Sequence, residues 1–285
     1  MSLIETEETN QYTFEPFASH AFYTKVNRSL VKQALALLAS RPTNGTVTIV
    51  DMACGTGAIT RLIAEELEGQ GRQAHIIGVD PSAEALRCAQ KSMQETGTKA
   101  DFIQGEVTDL PNLVRGADAA FFCNAIHLLP DKLFAFKHMA AILAPGGVFA
   151  CNSAFYEGTY VNGTERFYRL WTRRAVGWLR KEHPEVRLSR DEKPTAMQWL
   201  TPQQYTDLLK QCNFHHVDCA EEEAIMTVDS YRDIGHYWLF IEGALPGVPL
   251  SLGAAALGTS VYQAGEELGL TDIPRNWLQI VATKS

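Results

Sequence analysis

The stretch Asp51-Met-Ala-Cys-Gly55-Thr-Gly57-Ala-Ile-Thr60 decides the fold. It follows a β-branched run, Thr46 to Asp51, and enters a helical pattern from Ile59 to Leu67. Glycines at 55 and 57 let the backbone approach a ligand and turn tightly into a helix N-terminus. Working outward, His75 to Asp80, Asp101 to Gln104, Ala117 to Cys123 and Val148 to Ser153 read as further strands. Helical patterns lie between them at Ala83 to Met93 and Asp131 to Leu143. Strands at Phe214 to Cys219 and Trp277 to Ala282 bring the total to seven, with a helix opening at Leu200-Thr201-Pro202 and running to Gln211. This alternation predicts an α/β fold: a doubly wound, mostly parallel sheet covered by helices.

Three segments fall outside the alternation. Residues 1–44 hold Tyr12, Phe14, Phe17, Phe22 and Tyr23 before a helix over Asn27 to Ala39, closed by a turn at Arg41 to Gly45. Residues 155–200 and 229–275 are too long for bare loops and are expected to be helical and functional. No Gly-, Ser- or Pro-rich linker divides the chain. Residues 1–285 therefore read as one domain, with 1–44 as a helical lid and the two insertions as a cap.

Composition narrows the function. With 25 Lys and Arg against 33 Asp and Glu, the net charge is −8, which disfavours nucleic acid as a partner. The acidic start, Met1 to Glu8, has no apolar core, so no secretory signal is expected. No run reaches the length of a membrane span. The six cysteines are scattered without a Cys-x-x-Cys pair, which fits reduced thiols in the cytoplasm.

The glycine turn admits two ligands. A pyrophosphate fingerprint wants a third glycine where this chain has Thr60, which argues against a nicotinamide oxidoreductase. Asp51 before the turn suits a cationic ligand, because a carboxylate can pair with the ammonium of a methionyl group. At these positions the chain resembles the class I S-adenosylmethionine-dependent methyltransferases of small-molecule type, over most of residues 46–153. Four elements carry the resemblance: Asp51-x-Ala53-x-Gly55-x-Gly57, with Ala in place of one glycine; Gly78-Val-Asp80-Pro81-Ser82; Gly105-Glu106-Val107; and Leu143-Ala-Pro-Gly-Gly147. The resemblance implies S-adenosylmethionine as cofactor, S-adenosylhomocysteine as product and no metal. It implies a cofactor site of Asp51, Ala53, Cys54, Gly55, Gly57, Asp80, Pro81, Glu106 and Val107, with Asn124 beside it. Asp80 would accept both ribose hydroxyls; Glu106 and Val107 would read the adenine edge, although the family usually has Asp-Ala there. Cys54 reads as a small packed side chain rather than a nucleophile.

Methyl transfer needs a base only if the acceptor carries a proton. His127, just past the fourth strand, is the candidate general base, with packing against the next helix as the alternative. His20, Tyr23, Glu157, Trp171 and Tyr237 are candidate acceptor contacts, and the three outlying segments are expected to close over the methyl group. Nucleic-acid aminomethylation motifs and a Pro-Cys nucleophile are missing. The pair His215-His216 on a strand would point to opposite faces and make a poor metal site. Arg166, Arg169, Arg173 and Arg180 share one face of a helix, read either as a solvated face or as a contact for an anionic substrate or acidic carrier protein. Tyr237 to Ile241 and Gly253 to Leu257 suggest an apolar or aromatic, natural-product or lipid-like acceptor. The alternatives are an inert cofactor-binding scaffold and methylation of a carrier-bound acyl group. Oligomeric state is not legible.

Overall fold

A computed structural model describes residues 11–40, 45–96, 99–189 and 199–285. The acidic start, most of the turn at 41–45 and the part of the first insertion at 190–198 lie outside these residues. Seven strands form one sheet: β1 (Val47–Met52), β2 (Ala74–Asp80), β3 (Asp101–Gln104), β4 (Ala117–Cys123), β5 (Leu143–Ser153), β6 (Phe214–Thr227) and β7 (Asp272–Lys284). Their order is β3-β2-β1-β4-β5-β7-β6. The neighbours from β3 to β5 pair in parallel, whereas β7 runs antiparallel to β5, with Cys151 opposite Ile280. The sheet is the mostly parallel, Rossmann-like one read from the sequence.

The central strands are apolar on both faces, as parallel strands flanked by helices must be. In β4, Ala119, Ala120, Phe121 and Phe122 are all buried. The helix Lys132–Ile142 starts where Asp131 accepts the Phe134 N–H at 2.8 Å. The helix Pro202–Gln211 starts with a capping box between Thr201 and Gln204. Several elements are longer than expected. The first long helix begins at Ala21, β6 continues to Thr227, and β5 starts at Leu143 because the Pro145-Gly146-Gly147 turn sits inside the strand as a register shift. His216 adopts φ +47°, so β6 departs from simple alternation there, and both His215 and His216 are exposed rather than on opposite faces.

The chain divides into two compact units. The sheet unit comprises Thr24–Glu157, Trp199–Glu222 and Trp277–Ser285. The helical unit comprises Met1–Tyr23, Gly158–Gln198 and Glu223–Asn276. Both long insertions contain helices, at Glu165–Glu182, Val228–Ile234, Trp238–Ala244 and Leu250–Leu268. In the helical unit Glu165–Glu182 packs along Leu250–Leu268; Phe167, Leu170 and Trp171 are buried on the first helix and Ala254, Ala256 and Ala264 on the second. Among the described residues no helix is long and apolar enough to cross a membrane.

Candidate active site

Strand order reverses between β1 and β4, and in an open α/β sheet ligands bind beyond the carboxyl ends of the strands at that point. The glycine loop emerges there. Gly57 takes φ +85° and caps the helix Ala58–Gly69. A Cβ on Gly57 would meet Ala89 Cβ at 3.1 Å, so the bare backbone lets the helix Ala83–Thr96 close in. Gly55, at φ +53°, faces open space, as a cradle for a ligand should. Ala53 also sits at positive φ, +55°. A side chain there is strained, which explains why the resembling family uses glycine at this position.

Two carboxylates flank the loop. Asp80 ends β2, and its Oδ2 accepts the Gly55 N–H at 2.8 Å while Oδ1 accepts the Ser82 N–H at 2.9 Å. Asp80 thus shapes the loop as well as presenting an acid at its edge. Asp51 is 1% exposed and accepts the Thr60 hydroxyl at 2.6 Å. Burial pushes its carboxyl up to about 7, opposed by the Thr60 hydrogen bond and reinforced by the charge of Asp80. Thr60, read from sequence only as a missing glycine, is the partner that satisfies Asp51. Burial, with Asp51 and Asp80 nearby, pushes the Cys54 thiol far above its ordinary value, so it stays protonated. Glu106 is exposed and forms a reciprocal capping box with Asp109, and Val107 is buried beneath it. Pro81 accepts from the Gln104 amide at 2.9 Å, tying β2 to β3.

Past β4, Asn124 takes φ +56° and lies in a buried amide cluster. Asn27 Oδ1 accepts from Asn124 Nδ2 and from Asn152 Nδ2, each at 2.9 Å. Asn124 Oδ1 accepts the Trp277 indole N–H at 2.9 Å. Asn27, Asn152 and Trp277 had not been singled out in the sequence, because an isolated Asn or Trp carries no local pattern. His127 is buried, with Nδ1 3.2 Å from Ser153 Oγ and its ring stacked on Phe155 at 4.4 Å. Trp199 meets Phe155 edge-on at 6.2 Å, completing an aromatic wall beside His127. Among the described residues no three His, Cys, Asp or Glu side chains gather as a metal site.

Residues 49–147 match a family described as a methyltransferase domain, and the match spans the glycine loop, Asp80, Glu106 and the Pro145 turn. Over these residues the chain is similar to a methyltransferase domain. A trans-aconitate 2-methyltransferase of Azoarcus sp. is 33% identical over 133 residues, 45% of this chain and 47% of the relative. A demethylmenaquinone methyltransferase of Lactococcus lactis is 30% identical over 106 residues, 37% of this chain and 41% of the relative. The chain therefore matches about half the length of these relatives. Among solved structures, the YcgJ protein from Bacillus subtilis aligns with 89% of this chain and 98% of its own at a TM-score of 0.55. Its 15% identity shows the fold alone.

The other candidate contacts all lie outside residues 49–147. Glu157 is exposed, its N–H bonded to the Leu200 carbonyl at 2.9 Å. In the helical unit, His20 Nε2 is 2.8 Å from Asp233 Oδ2, and Tyr23 is buried against Phe14 and Phe17. Tyr237 meets Phe14 edge-on at 5.2 Å. Trp171 is buried, stacks on Phe240 and donates to the Leu257 carbonyl at 2.8 Å. Trp238, Ile241, Ala254, Ala256 and Leu257 are buried in the same unit. Their apolar character serves that unit's own packing, so it does not by itself describe an acceptor.

Proposed function

We propose that the chain transfers a methyl group from S-adenosylmethionine to a small apolar or aromatic molecule. The observation that carries the cofactor is the open backbone at Gly55, held by a carboxylate at the end of β2. A bulky side chain at 55 would fill that space, and Asp80 supplies the acceptor atoms that a ribose diol needs. When bound, S-adenosylmethionine supplies a methyl carbon activated by a sulfonium. In this reading Asp80 holds the ribose, Gly55 and Gly57 admit the methionyl part, and Val107 and Glu106 border the adenine. Asp51, Ala53, Cys54 and Pro81 shape the loop from below, and Asn124 borders the sulfur side.

The aromatic wall of Phe155 and Trp199 beside His127 supports an aromatic or apolar acceptor. His127 is the proposed base, taking the acceptor's proton at Nε2 while Ser153 fixes the ring from Nδ1. The wall also excludes water, which methyl transfer requires. A contribution of Glu157 to acceptor binding belongs to this proposal, as does a cytoplasmic setting.

The test is transfer of label from methyl-tritiated S-adenosylmethionine to a naphthoquinol and to trans-aconitate, with wild type and His127→Ala. The proposal expects label in the naphthoquinol, lost in the variant. Label in trans-aconitate alone would overturn the apolar acceptor. Cofactor binding without transfer to any acceptor would favour an inert scaffold.

A further inference from the structure

The helix Glu165–Glu182 in the helical unit carries the arginine face that the methyl-transfer reading leaves unused. At 100° per residue, Arg169, Arg173 and Arg180 fall within about 40° of one another, and they extend about 16 Å along the axis. All three are exposed, and among the described residues none of them forms an ion pair. Arg174, on the neighbouring face, is paired with Glu267. Together with Tyr168 of the same helix, and with Tyr160 beside it, the stripe lines an open groove of about 680 Å³. Beneath those rings lies Arg275, 6% exposed, its guanidinium 5.5 and 5.1 Å from their centroids. Val176 and Arg180 also border a second cavity of about 270 Å³, lined by apolar side chains such as Leu179, Val186 and Leu188.

We propose that this groove docks an acidic segment of a partner protein, with carboxylates along the arginine stripe and one apolar side chain anchored in the adjoining cavity. Three features favour a protein segment over a small anion. The cationic stripe is several times longer than one phosphate or carboxylate. Among the described residues the groove has no roof, because Arg169, Thr172, Arg173 and Gly177 are all exposed. Small ligands are held by burying most of their surface, whereas a protein partner brings its own cover. The cavity at one end matches the anchor-and-rim layout of protein interfaces. Charge adds selectivity: the chain carries a net −8, so an acidic partner is repelled elsewhere and guided to this stripe.

The experiment uses the full chain and a fluorescein-labelled helical peptide bearing Glu at the spacing of Arg169, Arg173 and Arg180 and Leu one turn beyond. Anisotropy is expected to show saturable binding that weakens by about tenfold or more in R169E/R173E/R180E and when salt rises from about 0.05 to 0.3 M. Leu188→Asp should weaken binding while leaving the arginines in place. These positions are not fully buried, so circular dichroism should be unchanged in both variants. An unbound peptide, or equal binding by the triple variant, would overturn the proposal. So would displacement of the peptide by inorganic pyrophosphate at lower concentration than by unlabelled peptide, which would make the groove a small-anion site.

Discussion

Replacing Asp51 by Asn should make the ligand-free protein more stable, by an amount that grows with pH. The carboxyl is shut away from solvent and its pKa is pushed up to about 7 from an ordinary 3.8. Each tenfold change in proton affinity corresponds to about 1.4 kcal/mol, so ionising Asp51 in the folded chain costs about 4 kcal/mol. That is a ceiling, because local relaxation and water entry relieve part of such a cost. A carboxyl with a raised folded pKa gives stability that is fully present below the unfolded pKa and lost as pH rises through the folded one. Here the window runs from about pH 4 to 7. Asn keeps an oxygen to accept the Thr60 hydroxyl and cannot ionise. Urea unfolding of both proteins at about pH 4, 6 and 8 should show the variant gaining relative to wild type at up to about 1.4 kcal/mol per pH unit, then levelling. The new amide adds an offset that is equal at every pH, so the slope is the test. A flat difference across this range would refute the reasoning.

Asp80→Ala should weaken S-adenosylhomocysteine by about 1.5–3 kcal/mol in calorimetry, the range for hydrogen bonds to a charged group. It should also loosen the Gly55 amide, seen as faster hydrogen exchange there. Ala53→Gly should raise stability by about 0.5–1 kcal/mol in urea unfolding, because glycine accepts φ +55° without strain and gives back part of that gain as unfolded-state entropy. Asn27→Ala should destabilise by about 2–4 kcal/mol, since it strands the side-chain amides of both Asn124 and Asn152. Asn27→Ser, keeping an acceptor, should recover part of that loss.

The strand-helix alternation, the glycine loop and the acid at 80 were legible because each is a local pattern with one physical meaning. Two glycines between a strand and a helix mark a backbone that must stay bare: Gly55 faces open space, and Gly57 lets the next helix close in. The partners of those residues were not legible. Thr60 satisfies Asp51 across the glycine loop, nine residues away, and Asn27 reaches residues 97 and 125 positions away. Such contacts depend on how elements meet, which spacing does not encode. The apolar runs at 237–241 and 253–257 are less informative, because hydrophobicity states that a side chain will be buried but not against what. Trp238, Ile241, Ala254, Ala256 and Leu257 are buried within the helical unit. The capping box at Glu106 is a short-range motif that could have been read from Glu106 and Asp109, three residues apart.

The central claim is that the loop between Asp51 and Asp80 holds S-adenosylmethionine. Isothermal titration of the purified chain with S-adenosylhomocysteine, and separately with NAD, tests it most directly. The account predicts one saturable site for S-adenosylhomocysteine, weakened by Asp80→Ala, and no heat from NAD. Binding of NAD with no response to S-adenosylhomocysteine would contradict it.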